Sequence, residues 1–390
     1  MRMATGIPRE EDLRADTHVV LVSGQPVPNL TPALDPVVAP RRMVLVVSPG
    51  MEQRSQWLKA VLRPRGIAVE HWKVDDPWDL ERLRERFLEL LEREDGASGI
   101  ALNATGGTKL MSIAGYEVFR DLDLPIFYIH PEQDRMIWLH PPGRPAHELA
   151  DRIRLKDFLQ AHGARVRALQ DNVPDPARLR LAEGLVREFH RFRDALATLN
   201  WLAGSAERSG TSEPVPDRGP ALDELIDRFA EAGVVRRLGD RLRFPDEEAR
   251  FFVNGGWIEA YVFDQVRGLR KEDARIQDVA YAVEVERSVR GKPVRNELDV
   301  AVLRDNRLHI IECKTKRFPN AGEDSAGAEA LYKLDTLRDL MGGLQARAML
   351  VSFQGLKESH RRRAADLRIE VCAGGELQAL KGRLRSFLGG

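Results

Sequence analysis

Between Thr17 and Pro141 short apolar runs alternate with stretches whose apolar residues return at helical spacing. That alternation predicts βαβ units around a mostly parallel sheet. Strands are expected at His18–Val22, Met43–Val47, Val69–Val74, Gly99–Asn103 and Pro125–Ile129, with helices over Gln53–Leu62, Asp79–Arg93 and Leu110–Leu122 between them. A turn at Glu132–Asp134 and a strand at Arg135–His140 add a short antiparallel edge.

From Arg144 to Leu199 the pattern becomes Arg-rich and helical, and Ser205–Pro220 is dense in Gly, Ser and Pro, as a linker would be. Ala221–Ala232 then reads as a helix and Val234–Phe244 as a ribbon turning at Gly239-Asp240, together a small winged element. Winged elements bind DNA or connect domains, and the connecting role is the reading adopted. Gly255–Gly268 opens a last segment as a helix, followed by strands at Val279–Glu286, Glu297–Leu303 and Leu308–Lys314, a helix at Ala328–Leu340 and a strand at Ala346–Phe353. The order is αβββαβ. The expected domains are residues 15–143, 144–250 and 251–390.

Composition adds constraints. A chain of 390 residues, 43% hydrophobic, can bury more than one core. Lys+Arg and Asp+Glu both total 60, so no net field draws in nucleic acid and any basic surface must be local. No apolar run approaches the roughly 20 residues of a membrane span. Met1–Asp16 lacks the apolar core of a signal peptide, and two cysteines, Cys313 and Cys372, make no disulfide framework. A cytoplasmic protein is expected.

The densest chemistry lies in Asn296–Thr315, two strands joined by a turn at Asp305-Asn306. In that register Asp299 stands opposite Glu312, with Cβ atoms roughly 5 Å apart. Lys314 falls on the same face and Cys313 on the other. Facing carboxylates repel unless a proton or cation lies between them, and hard oxygen donors suit Mg²⁺ or Mn²⁺. Such an ion lowers the pKa of bound water, and Lys314 could orient that water or meet the charge developing on a phosphodiester. Arg287, Arg290, Lys292, Arg295, Lys316 and Arg317 flank the strands and could track a phosphate backbone without reading bases.

This arrangement resembles the PD-(D/E)xK nuclease superfamily over roughly Phe252–Val371, with Asp299 as its acid and Glu312-Cys313-Lys314 as its ExK. Leu298 stands where the superfamily name has proline. The resemblance implies Glu259, in Gly255-Gly256-Trp257-Ile258-Glu259, as a further acidic contributor, and a metal ion held by Glu259, Asp299, Glu312 and the backbone carbonyl of Cys313. Lys333 in the following helix is a candidate contact to nucleic acid.

A second site is expected where the first strands end. In Asn103-Ala104-Thr105-Gly106-Gly107-Thr108-Lys109, small residues between a strand and a helix let a phosphate approach backbone N–H groups. The segment lacks the spacing of a P-loop and of GxGxxG. Ser23-Gly24-Gln25, running on to Asn29, and Ser48-Pro49 lie at the same sheet edge, where such folds bind ligands. These motifs together resemble CARF domains, the Rossmann-like sensors of CRISPR systems, and with the nuclease motifs they resemble the CARF-nuclease effectors of type III CRISPR antiviral defence. The resemblance implies an α/β chain with a CARF domain, a helical and winged connector and a restriction-endonuclease-like domain. It further implies a homodimer binding one cyclic oligoadenylate, most readily cyclic tetra-adenylate, through Ser23, Gly24, Gln25, Asn29, Ser48, Pro49, Asn103, Thr105, Gly106, Gly107, Thr108 and Lys109. Cleavage of single-stranded RNA and DNA, with nicking of duplex DNA, is the implied activity. A ligand-controlled transcription regulator with a dead nuclease fold, or a constitutive repair or restriction nuclease, are the alternatives.

Overall fold

Residues 14–94, 99–130, 133–316 and 324–389 are described by a computed structural model of the chain, so Glu132 and Arg317 lie outside the described residues. The chain divides into two units, Met1–Arg165 and Val166–Gly390.

The first unit runs β1 (Thr17–Leu21), α1 (Val27–Leu34), β2 (Arg42–Val47), α2 (Glu52–Leu62), β3 (Ala68–Lys73), α3 (Leu80–Arg93), β4 (Ile100–Asn103), α4 (Lys109–Asp121), β5 (Ile126–His130), β6 (Arg135–His140), β7 (His147–Glu148) and α5 (Leu155–Ala161). Its seven strands lie in the order β3-β2-β1-β4-β5-β6-β7, parallel from β3 through β5 and antiparallel beyond. The expected strands and helices recur within a residue or two. Alternation along the strands sorts their side chains: Ile100 and Leu102 meet Phe87, Leu90, Met111 and Phe119 on one face, and Ala101 meets Phe127, Ile129 and Met136 on the other. The strand order reverses between β1 and β4, the switch point outside whose carboxyl ends such sheets form a ligand crevice. The loop after β1 is shorter than expected, because Val27–Leu34 is helical and contains Asn29. Pro26 and Pro28 read as loop residues, yet a helix tolerates proline in its first turn, where no N–H is required.

The second unit comprises β8 (Arg165–Gln170), α6 (Pro176–Arg187), α7 (Phe189–Ser205), α8 (Pro220–Glu231), β9 (Arg236–Leu238), β10 (Arg241–Arg243), α9 (Glu247–Phe251), α10 (Trp257–Arg270), β11 (Ile276–Val289), β12 (Lys292–Arg304), β13 (Arg307–Lys314), α11 (Asp324–Gly342), β14 (Arg347–Ser352), α12 (Glu358–Asp366), β15 (Ile369–Ala373) and α13 (Leu380–Gly389). The sheet order is β15-β14-β13-β12-β11-β8, and β9 pairs with β10 across Gly239-Asp240 as expected. Strand β8 was not expected, because its alternating residues include Arg165 and Arg167 and neither face of this edge strand is fully covered. Strands β11 and β12 reach further than their apolar cores suggested, turning at Arg290 (φ +50°) and Gly291 (φ +77°). Helices α6, α7 and α8 share one core with the sheet, in which Phe192, Leu196, Leu225 and Phe229 join Trp257, Val300, Ile311 and Phe353.

Phe87 is buried and meets Phe119 edge-on at 6.4 Å between ring centres. Phe87→Ala should cost about 3–5 kcal/mol. Urea unfolding of the full chain should show the first unit's transition at lower denaturant, and an unmoved midpoint would contradict this packing.

Candidate active site

The β12–β13 hairpin turns at Asp305 and Asn306, both with positive φ (+47° and +54°), and Gln277 fastens it by accepting the Asn306 N–H at 2.6 Å. The register is the expected one from Arg304↔Arg307 to Val300↔Ile311. The next pair, Asp299 with Glu312, does not continue the ladder. Instead Asp299 Oδ2 accepts the Cys313 N–H at 2.7 Å. On its other side Asp299 falls between the pairs Tyr281↔Val300 and Val283↔Leu298, where Ala282 takes φ +47°. Such a break re-aims a side chain, here the acid itself. The Cys313 carbonyl looks toward the same edge as its N–H, since both groups of a strand residue point one way.

Lys314 Nζ donates to Glu312 Oε1 and stands 4.0 Å from Asp299 Oδ2. Burial lowers the Lys314 pKa and the Glu312 and Asp299 carboxylates raise it, with a net rise, so the ammonium stays charged. Glu259 reaches the cluster from the first turn of α10, buried, with Oε2 lacking a hydrogen-bond partner. Burial, then Asp299 and Glu297, push its carboxyl up to about 9. Burial and Glu312 push Asp299 up to about 7. The orphaned, buried Glu259 oxygen among acids that resist ionising fits either a proton or a cation, and hard oxygen donors of this kind suit Mg²⁺ or Mn²⁺. Among the described residues no three His, Cys, Asp or Glu side chains are grouped so that they alone could hold a metal ion. Water and the Cys313 carbonyl would complete the shell, as suits an ion that keeps several waters.

Two glycines let α10 approach. A Cβ on Gly255 (φ +131°) would lie 2.4 Å from Thr315 Oγ1, and one on Gly256 would lie 2.5 Å from the Phe251 ring. Trp257 then anchors the helix in the core, edge-on to Phe353 at 5.3 Å.

In the first unit, the segment after β4 meets the end of β1 backbone to backbone: a Cβ on Gly106 would fall 2.1 Å from the Leu21 carbonyl oxygen, and Gly107 has φ +71°. Asn103 donates to Pro28 O at 2.9 Å and to Asn29 Oδ1 at 3.1 Å, and its own Oδ1 accepts from Thr105. Asn29 in turn donates to Leu21 O at 3.1 Å. Both amides are buried and bind the loops to each other. Thr105 also holds the Ile129 N–H at 2.8 Å, and Thr108 caps α4 by accepting the Met111 N–H at 3.1 Å. Ser23 bonds within its own turn to Gln25. Gly24, Pro49 and Lys109 are exposed at this edge and Ser48 is buried.

Residues 17–158 match the family profile described as the Card1 CARF domain, and residues 246–388 match the Card1-like endonuclease domain. Protein VC1899 from Vibrio cholerae is similar at 33% identity over 97% of this chain and 98% of its own, with a TM-score of 0.86. The chain belongs to the Card1-like family. Can2 from Sulfobacillus thermosulfidooxidans, solved in complex with cyclic tetra-adenylate, is similar at 26% identity over 96% of this chain and 99% of its own, with a TM-score of 0.78. A type III CRISPR defence DNA nuclease activated by cyclic oligoadenylate shares the fold at 19% identity and a TM-score of 0.57, over 98% of this chain and 53% of its own. No curated protein matches the chain. Among the described residues no helix is long and apolar enough to cross a membrane.

This Card1-like chain also carries site residues that sequence reasoning passed over. Glu297 lies on the same strand face as Asp299, pairs with Glu284 across β11, and is raised by burial and then by Glu284 and Glu312. Its spacing two residues before Asp299 was the available signal. The Lys333 ammonium lowers it in turn, which places that lysine at the rim of the acidic cluster. In the sensor, the Arg54 guanidinium lies beside Gly24, 3.4 Å from where a Cβ would stand. Trp78, 70% exposed, follows Pro77, whose carbonyl accepts the Thr108 hydroxyl at 3.0 Å. Of the flanking basic residues, Arg295 pairs with Glu286 at 3.5 Å and Arg290, Lys292 and Lys316 are exposed. Three of the winged ribbon's four arginines are engaged locally, Arg237 with Asp223 at 2.8 Å, Arg241 with Ser212 O at 2.9 Å and Arg243 with Ser209 O at 2.6 Å, while Arg236 is exposed.

Glu259 and Asp299 hold protons more tightly folded than unfolded, where values near 4 apply, so their contribution to stability falls as pH rises, while buried His18 and His309, lowered from 6.5 to about 3, act in the opposite sense below about pH 6.5. Above that pH the histidines no longer oppose, and stability in chelator should fall toward pH 9. Glu259→Gln should flatten the slope, and Mn²⁺ should raise Tm most at the alkaline end. The same slope of Tm against pH in wild type and Glu259→Gln between about pH 6.5 and 9 in EDTA would contradict the crowding.

Proposed function

We propose that this chain is a metal-dependent endonuclease switched on by a cyclic oligoadenylate, most readily cyclic tetra-adenylate, in type III CRISPR defence. The carrying observation is the buried acidic cluster of Glu259, Asp299 and Glu312 with Lys314 hydrogen-bonded inside it, in a family that pairs an endonuclease with a CARF domain. Residues 15–143 serve as sensor, 144–250 as connector and 251–390 as nuclease.

Glu259, Asp299, Glu312 and the Cys313 carbonyl would hold a divalent cation. When bound, it supplies an acidified water and offsets charge on the phosphodiester. Asp299 is fixed by the Cys313 N–H, so its free oxygen keeps one direction. Lys314, permanently charged, meets the non-bridging oxygen on which negative charge grows as the phosphorus is attacked. Arg290, Lys292 and Lys316 position the strand through its phosphates, whatever its sequence, which suits single-stranded RNA and DNA and nicking of duplex DNA.

At the sensor, the open N–H groups at the start of α4 and the Lys109 ammonium face the ligand's phosphates across the β1/β4 crevice. Asn29, Asn103, Thr105 and Thr108 hold the loops in place, while Ser23, Gly24, Gln25, Ser48, Pro49, Gly106 and Gly107 shape the opening. The similarity to Can2, solved with cyclic tetra-adenylate, supports this ligand class. A homodimer presents the crevice twice, so an even-membered ring meets both halves alike.

Glu312→Gln or Lys314→Ala should abolish cleavage of labelled RNA and DNA while leaving activator binding intact, and EDTA should stop the wild type until Mn²⁺ is returned. Wild-type rates in either variant, or undiminished rates in chelator, would overturn the catalytic assignment.

Lys109→Ala should weaken activator binding about ten- to a hundred-fold, the worth of one charge-assisted contact. Maximal cleavage should recover at saturating activator, because the substitution alters occupancy and not chemistry. Calorimetric titration beside cleavage curves measures both; unchanged affinity would remove Lys109 from the site.

A further inference from the structure

A hollow of about 430 Å³ is lined by Ala197, Asn200, Trp201, Gly204 and Ser205 of α7 and by Lys316, two residues past Lys314. That volume falls within the roughly 300–1,000 Å³ of small-molecule sites. It is fastened to the nuclease strand: Asn200 Nδ2 donates to Thr315 Oγ1 at 3.0 Å, next to Lys314. Lys316 is two residues beyond Lys314, at most about 7 Å along an extended chain. The phosphate next to one held at Lys314 is therefore within reach of Lys316.

Two features are unexplained by folding. Trp201 is 55% exposed on a helix whose other large apolar side chains, Phe192, Leu196 and Leu199, are buried. Asn200 is only 2% exposed, yet its Oδ1 has no hydrogen-bond partner. Whichever way the amide is turned, one polar atom is spent on Thr315 and the other is left over, a cost that an incoming polar edge would remove. An indole face, an unsatisfied amide and an ammonium are the three groups that a nucleobase, its edge and its phosphate would meet.

We propose that this hollow is a nucleobase subsite for the substrate strand: one unpaired base stacks on Trp201, presents its edge to Asn200, and has its phosphate met by Lys316. The proposal rests on the nuclease reading and sharpens it. Stacking needs a base swung out of a helix, so the subsite favours single strands and tolerates any base, since every base has a flat face.

The test uses the full-length Glu312→Gln variant with Mn²⁺ and cyclic tetra-adenylate, and fluorescence anisotropy of a labelled single-stranded DNA oligonucleotide carrying one abasic position moved stepwise along it. At one position the missing base should weaken binding about five- to a hundred-fold. Adding Trp201→Ala should cost the same factor with the intact strand and erase the abasic penalty, while Trp201→Phe should keep most of both. Independent losses that multiply, or no loss with Trp201→Ala, would overturn the subsite. So would a changed molar mass of Trp201→Ala by light scattering, which would place the indole in an interface between protomers. Absence of any strand binding by Glu312→Gln would instead overturn the nuclease reading, whereas binding without a Trp201-dependent abasic penalty overturns only the subsite.

Discussion

Repulsion among buried carboxylates at the ends of β12 and β13 is the constraint around which the second unit is built. Left to themselves, Glu259, Asp299 and Glu312 would separate or protonate. The chain prevents separation by several independent means. The Asp299 carboxylate takes the Cys313 amide, Ala282 gives up a regular conformation opposite it, and two glycines bring α10 against Thr315 and Phe251. Trp257 and Phe353 then lock the helix from below. Burial of a large aromatic core holds in place what electrostatics would disperse.

The first unit solves a different problem with different materials. The edge where β1 and β4 end is made of backbone, brought so close that Gly106 leaves no room for a side chain against the Leu21 carbonyl. Polar side chains there face inward: Asn103 and Asn29 spend their amides on each other and on Pro28 and Leu21 carbonyls. A surface of N–H groups with one lysine and one arginine at its rim is suited to anions whose shape, more than whose identity, is recognised.

Periodicity made most of this legible. The parallel strands, their helices and the β12–β13 register followed from apolar spacing and from Asp305-Asn306, because two-residue turns dictate pairing. Where strands carried few apolar residues, the pattern fell silent: β8, with Arg165 and Arg167 on a partly covered edge, and the outer parts of β11 and β12, whose Arg290-Gly291 turn lies among charges. Helix α1 was hidden by prolines that a first turn accommodates. Glu297, Arg54 and Trp201 were hidden for another reason. Each matters through neighbours distant in sequence, and only the folded chain brings Glu284, Gly24 or Lys316 beside them.

The hairpin turns at Arg290-Gly291 and Asp305-Asn306 have a consequence for how the chain reaches its fold. Strands β11, β12 and β13 pair with immediate sequence neighbours, and Glu259 lies on the helix just before them. Contacts of such short range close with little loop entropy and form early. The like charges are thus gathered before β14 and β15 extend the sheet beyond β13. Protons or divalent ions in the medium would ease that early step, coupling the rate of folding to pH and to the ions that the proposed site would take up.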